Sequence, residues 1–226
     1  FYSVVDPAGH GMWDSEIREA DLQTARACVS RGDTLGPAAV AFALIKLGRI
    51  SEATEAIRQG RLVGADEASL LRMECLVLRN QKKPREAIPL CRRSVQLNPK
   101  IPLAYTSLSN AHYETGEKKE ALAVVDEGLK LAPSYALLLT RRGGLLSEMG
   151  NTREAITALE AAHKLAPAAV ESAIDLVYAY RQLTPPRLAE GIAVLSRVLS
   201  ANSNSPEKNI AQVYHQRGLL KELSGD

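Results

Sequence analysis

No run of 18 apolar residues occurs anywhere in this sequence, and without one no helix of the chain can span a bilayer. No block of lysine and arginine occurs either. The 28 basic side chains are nearly balanced by 26 acidic ones, leaving a net charge of +2. Neither a nucleic acid nor an acidic membrane surface is therefore indicated as a partner. The phosphate-binding loop, the GxSxG elbow and the HExxH helix are all missing. Histidine is limited to His10, His112, His163 and His215, and none of the four has the spacing of a metal site or an acid–base pair. Cysteine is limited to Cys28, Cys75 and Cys91, with no CxxC that would signal a redox or zinc motif. These absences argue against an enzyme and indicate no metal and no cofactor.

What the sequence does contain is a repeat. With 46% apolar and 24% charged residues the chain can bury a sizeable core. The stretch TGEKKEALAVVDEGLKLAP at 115–133 returns 34 residues later as MGNTREAITALEAAHKLAP at 149–167. Pro99, Pro133 and Pro167 keep that interval, as do Ala87, Ala121 and Ala155 twelve residues upstream of each. A period of this length marks a repeat architecture. Small residues, Cys75, Ser109 and Gly143, stand twelve places before each alanine, and Cys91, Val125 and Leu159 stand four places after it. Ser94, Gly128 and Ala162 follow three places on. The result is one apolar stripe at i, i+4, i+7, the spacing of a buried helix face. Gly116 and Gly150 break each copy in two, with Lys82 at the equivalent place in the earlier one. A glycine there can take positive φ and end a helix, and the proline ends the next. Each copy reads as a helical hairpin.

This pattern of small, apolar and proline positions over 34 residues resembles the tetratricopeptide repeat. The resemblance is tight over residues 68–169, as three copies (68–101, 102–135 and 136–169), and implies an all-α, right-handed α-solenoid of about twelve antiparallel helices. Residues 34–67 resemble a degenerate copy with Ala65 in place of the proline. Residues 170–206 resemble an irregular one, in which Pro185 and Pro186 replace the glycine turn with about one extra residue. Residues 207–226 resemble a capping helix or half-repeat. At the other end Asp14 and Ser15 can cap a single helix within 14–33, with Ala20, Thr24 and Ala27 as its small stripe. Residues 1–13 have no period and read as an extended lead-in. A chain that opens on Phe1 and closes on a half-unit is expected to be an excerpt of something longer.

Individual residues follow from position in the repeat. His112 stands where the repeat calls for a core aromatic, and a hydrogen-bonded core imidazole is expected. His163, beside Lys164 on an outer helix, is expected in solvent, and His215 on an inner surface. Cys75 and Cys91 are expected to be buried thiols acting as small hydrophobes. Helix axes about 8–10 Å apart usually hold Cα atoms farther apart than the roughly 4.4–6.8 Å a disulfide needs.

In the resembled family the first helices of the hairpins line a concave groove that holds a peptide or a partner's helix. The resemblance therefore implies a protein–protein interaction scaffold. Its expected partner-binding residues are Arg72, Thr106, Asn110, Tyr113, Arg141, Asp175 and Tyr178, with Ser69, Met73, Leu103 and Thr140 on the same faces. The partner is a protein or peptide, without nucleic acid or membrane insertion, and the array ends offer a route to self-association. The second functional class is a spacer or self-assembly module cut from a larger polypeptide that could itself be enzymatic. The family's clamp for a C-terminal carboxylate fits poorly. Thr106 stands where its first lysine belongs, Arg141 where an asparagine belongs, and Glu171 with Asp175 replace a basic pair.

Overall fold

The computed structural model describes residues 19–202 and 208–225. The lead-in at 1–13 and the proposed cap at Asp14 and Ser15 lie outside them. The described residues contain twelve helices and no strand: α1 (Glu19–Ser30), α2 (Gly36–Lys46), α3 (Ile50–Leu62), α4 (Glu67–Asn80), α5 (Pro84–Leu97), α6 (Pro102–Glu114), α7 (Lys118–Leu131), α8 (Ala136–Glu148), α9 (Thr152–Leu165), α10 (Val170–Arg181), α11 (Leu188–Ala201) and α12 (Lys208–Ser224).

Local chemistry sets the ends. Asp66 caps α4 by accepting a hydrogen bond from the Ser69 N–H at 2.8 Å, the usual role of an aspartate at that position. Pro84 and Pro102 open α5 and α6, where the missing N–H costs nothing and the fixed φ suits a first turn. In the three regular copies the inner helix closes through a residue at positive φ: Lys82 at 62°, Gly116 at 86° and Gly150 at 83°. The chain then reverses with the same hydrogen bond in each of the three. Lys83 N–H reaches Leu78 C=O at 3.0 Å, Glu117 N–H reaches His112 C=O at 2.9 Å, and Asn151 N–H reaches Leu146 C=O at 2.9 Å. This is the six-to-one bond of a Schellman closure.

The helices fall into two compact units, the first ending at Leu131 and the second beginning at Ala132. In the first, each helix packs on the next, and α2 and α6 also pack on α4. Leu22, Ala25, Ala41, Leu44, Ala53, Ile57, Leu70 and Met73 form its N-terminal core. In the second, α8 and α12 pack on α10 in the same manner, around Leu159, Leu176, Val177, Leu195, Val198 and Leu220.

The repeated stripe is the buried one. Ala87, Ala121, Ala155, Cys91, Val125 and Leu159 are all fully enclosed. At the hairpin crossing a small residue on the inner helix meets the outer helix. A Cβ on Gly143 would collide with the Leu159 side chain, so this glycine is what lets α8 and α9 approach with a leucine between them. The corresponding pair in α4 and α5 is Cys75 and Cys91, whose Cα atoms lie 5.4 Å apart and whose sulfurs are joined as a disulfide. The expectation of two separate thiols is therefore corrected. The two residues sit where the axes come closest, and the average interaxial distance overstates their separation. Cys28 is free and partly buried.

Two further expectations are corrected by connection length. The buried face of α1 carries Leu22 and Ala25, whereas Ala20 and Thr24 are exposed and Ala27 is only partly buried. Five residues link α1 to α2 and four link α3 to α4, so a phase carried over from the later hairpins slips. In the irregular copy α11 begins 36 residues after α9, so the stretch carrying Pro185 and Pro186 brings two extra residues into the copy, not one.

Candidate functional site

On the inner helices of the first unit, the four expected residues separate by depth. Arg72, Asn110 and Tyr113 are partly buried. Thr106 is 8% exposed, and its hydroxyl donates back to the Pro102 carbonyl at 3.4 Å. The neighbouring expected positions Ser69, Met73 and Leu103 are buried too. An inner helix such as α4 is contacted by α2, α3, α5 and α6, which leaves only a narrow open strip. Arg79 of α4 ties Glu114 of α6 across that side at 2.6 Å.

In the second unit Thr140 is likewise buried, its hydroxyl bonded to the Ala136 carbonyl at 3.0 Å. Arg141 and Asp175 are half-buried, whereas Tyr178 is 55% exposed. Tyr180, two residues on, is 5% exposed, so α10 turns one tyrosine inward and the other out. The Asp175 carboxylate lies 3.4 Å from where a Cβ on Gly144 would stand; a bare backbone on α8 faces the acid. Burial, reinforced by the Glu171 and Glu148 carboxylates, pushes the Asp175 carboxyl up to about 6, with Arg141 opposing. Arg141 thus faces a carboxylate of the neighbouring helix.

One repeat position stays open in every copy: Phe42, Leu76 and Asn110 in the first unit, Gly144 and Tyr178 in the second, each partly or fully exposed. Leu76 is among the inward residues the repeat implies, whereas Phe42, in the degenerate copy, is not among the candidates. The 34-residue period, held strictly from Asn110 through Leu76, leads to Phe42.

The histidines divide differently from expectation. His112 is buried, its Nδ1 2.5 Å from Glu117 Oε2 and its Nε2 3.5 Å from the Arg92 guanidinium, and this contact holds the Glu117 carboxyl below its usual range. It is a core imidazole that braces the hairpin turn. His215 is exposed on α12. His163 is not in solvent but 5% exposed, because α10 and α11 close over its flank of α9. Among the described residues no cluster of three or more His, Cys, Asp or Glu side chains could hold a metal ion, and no helix is long and apolar enough to cross a membrane.

Paired helices of similar length, a 34-residue interval over the regular copies and a buried small-residue crossing define an all-α helical-repeat scaffold. The family model for the tetratricopeptide repeat matches residues 72–136 and 140–206, and the chain belongs to that family. No curated protein matches the chain in sequence. Among solved structures, TTC0263, a thermophilic tetratricopeptide-repeat protein of Thermus thermophilus, is similar at 19% identity and a TM-score of 0.66, over 83% of this chain and 98% of that one. The Cut9–Hcn1 hetero-tetramer of the APC/C is similar at 17% identity and a TM-score of 0.71, over 93% of this chain and 41% of that one. The first repeat domain of Spaghetti (RPAP3), bound to the HSP90 peptide SRMEEVD, is similar at 22% identity and a TM-score of 0.50, over 52% of this chain and 94% of that one. These likenesses are of fold. Arrays of this family serve in general as protein-interaction scaffolds without catalytic chemistry of their own.

Proposed function

We propose that the protein is an adaptor that binds an extended or helical segment of a partner protein on the open faces of its inner helices. The observation that carries this reading is Tyr178, an aromatic side chain 55% exposed in the middle of an inner helix, beside the half-buried Asp175 and the bare backbone of Gly144. Tyrosine and arginine are the residues most often found at energetic contacts in interfaces. The α4–α6 face, with Arg72, Asn110 and Tyr113, suits an acidic or C-terminal-like stretch. The Asn110 amide can both donate to and accept from a ligand backbone, and an arginine can fork onto a carboxylate. The α8–α10 face carries Glu148, Glu171 and Asp175 around Arg141 and suits an uncharged or basic stretch.

A carboxylate clamp of the kind that would take the HSP90 peptide is not proposed. Thr106 is buried where that clamp needs a lysine, and Glu171 and Asp175 set acid where the ligand carboxylate would lie; each lost charge-assisted bond forfeits about 1.5–3 kcal/mol. The test is titration of arrayed ten-residue peptides, acidic, basic and uncharged, by fluorescence anisotropy. Tyr178→Ala and Asn110→Ala should each weaken the peptides that bind by about 1–2 kcal/mol, while Lys119→Ala on the outer helix α7 should change nothing. Equal affinity for parent and both variants, with unchanged melting, would move the search to the outer helices and the array ends.

A further inference from the structure

The second unit holds a pocket of about 480 Å³ on the side of its outer helices, lined by α9, the turn after it, α10 and α11. Its volume lies within the range of natural ligand sites. Leu176 and Val194 form an apolar floor, and Pro167 and Ala193 extend it towards solvent. Into this surface His163 brings an imidazole that is 5% exposed and has no hydrogen-bond partner at Nδ1 or at Nε2. A buried ring with both polar atoms unmet is rare in folded proteins and calls for a function.

The charges at the rim are unequally spent. Glu160 accepts the Tyr180 hydroxyl at 2.7 Å and an Arg187 guanidinium N–H at 3.3 Å. Glu190 lies 3.8 Å from the same guanidinium, which also stacks 5.5 Å from the Tyr180 ring centroid. The two acids therefore share one arginine and one phenol on one side of the pocket. Lys164 and Arg197, both exposed and both lining the pocket, make no ion pair among the described residues. Positive charge is left over beside the unpartnered imidazole.

We propose that this pocket receives the C-terminal residue of a partner protein, when that residue is bulky and apolar: its side chain lies on Leu176 and Val194, and its terminal carboxylate is held by Arg197, Lys164 and a ring N–H of His163. Charge complementarity selects the carboxylate, and the apolar floor selects the side chain beside it. One residue offers both only at a chain end. The site is distinct from the inner-helix faces. A bound carboxylate also changes the proton balance. Burial, with Arg197 beside it, holds the His163 imidazole below its usual range, so the free protein presents it neutral at pH 7. An anion against the ring favours the imidazolium, and binding takes up a proton. The charged and titratable groups facing the ring are Glu160 and Lys164 of α9, Tyr180 of α10, Arg187 of the turn, and Glu190 and Arg197 of α11. The change of affinity with pH is assigned to His163, the ring that the bound carboxylate would meet, and the His163 variant below tests that assignment.

The experiment is calorimetric titration of the intact protein with three synthetic pentapeptides: one ending in a free-acid phenylalanine, its C-terminal amide, and one ending in a free-acid alanine. The phenylalanine acid should bind at least about tenfold more tightly than either control. Its affinity should rise from pH 7.5 to 5.5, with shifts of the His163 ring resonances. Arg197→Gln, an exposed change that leaves folding alone, should remove most of that preference, and His163→Gln should abolish the pH dependence. Tyr178→Ala should leave the binding intact. Equal binding of acid and amide, binding without movement of the His163 resonances, or no binding of any peptide would each overturn the assignment.

Discussion

At the scale of single residues, the raised carboxyl of Asp175 has a direct consequence for stability. Burial and the two neighbouring glutamates lift its carboxyl from 3.8 to about 6, so the folded chain holds this proton more tightly than the unfolded one. Folding is then favoured where both states are protonated, below about pH 4. The advantage is lost as the pH rises through 6, where the folded state must carry a charge it disfavours. Replacement by the neutral isostere, Asp175→Asn, should raise stability by about 1–2 kcal/mol at pH 7.5, after allowance for partial solvent screening, and by nothing measurable at pH 3.5. Thermal melts at the two pH values check this. A gain of the same size at both would mean that the asparagine helps through packing or hydrogen bonding and that the charge is already well solvated.

At the scale of the hairpin, the turn between inner and outer helix is a backbone problem solved by one residue. Gly116 takes φ 86° with no atom within 4 Å of where its Cβ would stand, and Lys82 takes φ 62° in the same role. A left-handed conformation costs an L-residue roughly 1–2 kcal/mol, whereas glycine costs roughly 0.5–1 kcal/mol in unfolded-state entropy. Lys82→Gly should therefore stabilise the chain by about 0.5–1 kcal/mol and Gly116→Ala should destabilise it by about 1 kcal/mol. Urea titrations with unchanged slopes check both. If the signs agree, the turn is held by something other than its φ. The equivalence of Lys82 and Gly116 could be seen in the sequence, as could the buried stripe of Ala87, Ala121 and Ala155, because period and residue size encode both. Three features could not be seen. The phase of α1 depends on one residue of connection length. The Cys75–Cys91 bridge depends on where along the crossing the helices touch. The burial of His163 depends on α10 and α11, which follow it in sequence and close over its flank. Among the candidate site residues, Asn110 and Tyr178 lie at the repeat position that stays open, while Thr106 lies one helical step aside and is covered. The helix face was legible, but the few tens of degrees that separate groove from core were not.

At the scale of the whole chain, each unit has a core of its own. The core that runs from Leu22 to Val77 lies wholly within the first, and the one that runs from Ile156 to Leu220 lies wholly within the second. In a helical-repeat array stability is approximately a sum over units and their nearest neighbours, since no contact reaches far along the sequence. Residues 19–131 and residues 132–226, expressed separately, should therefore each keep a helical far-ultraviolet spectrum and a cooperative melt. Because the denaturant slope scales with the surface that unfolding exposes, the slopes of the two fragments should add up to about that of the intact chain. Urea titration of all three proteins, followed at 222 nm, makes the comparison. A fragment that is helical but melts without cooperativity would show that its core needs the other unit to fix its packing. Slopes that together fall well short of the intact value would show that the fragments begin partly unfolded, and that the two cores are one cooperative structure.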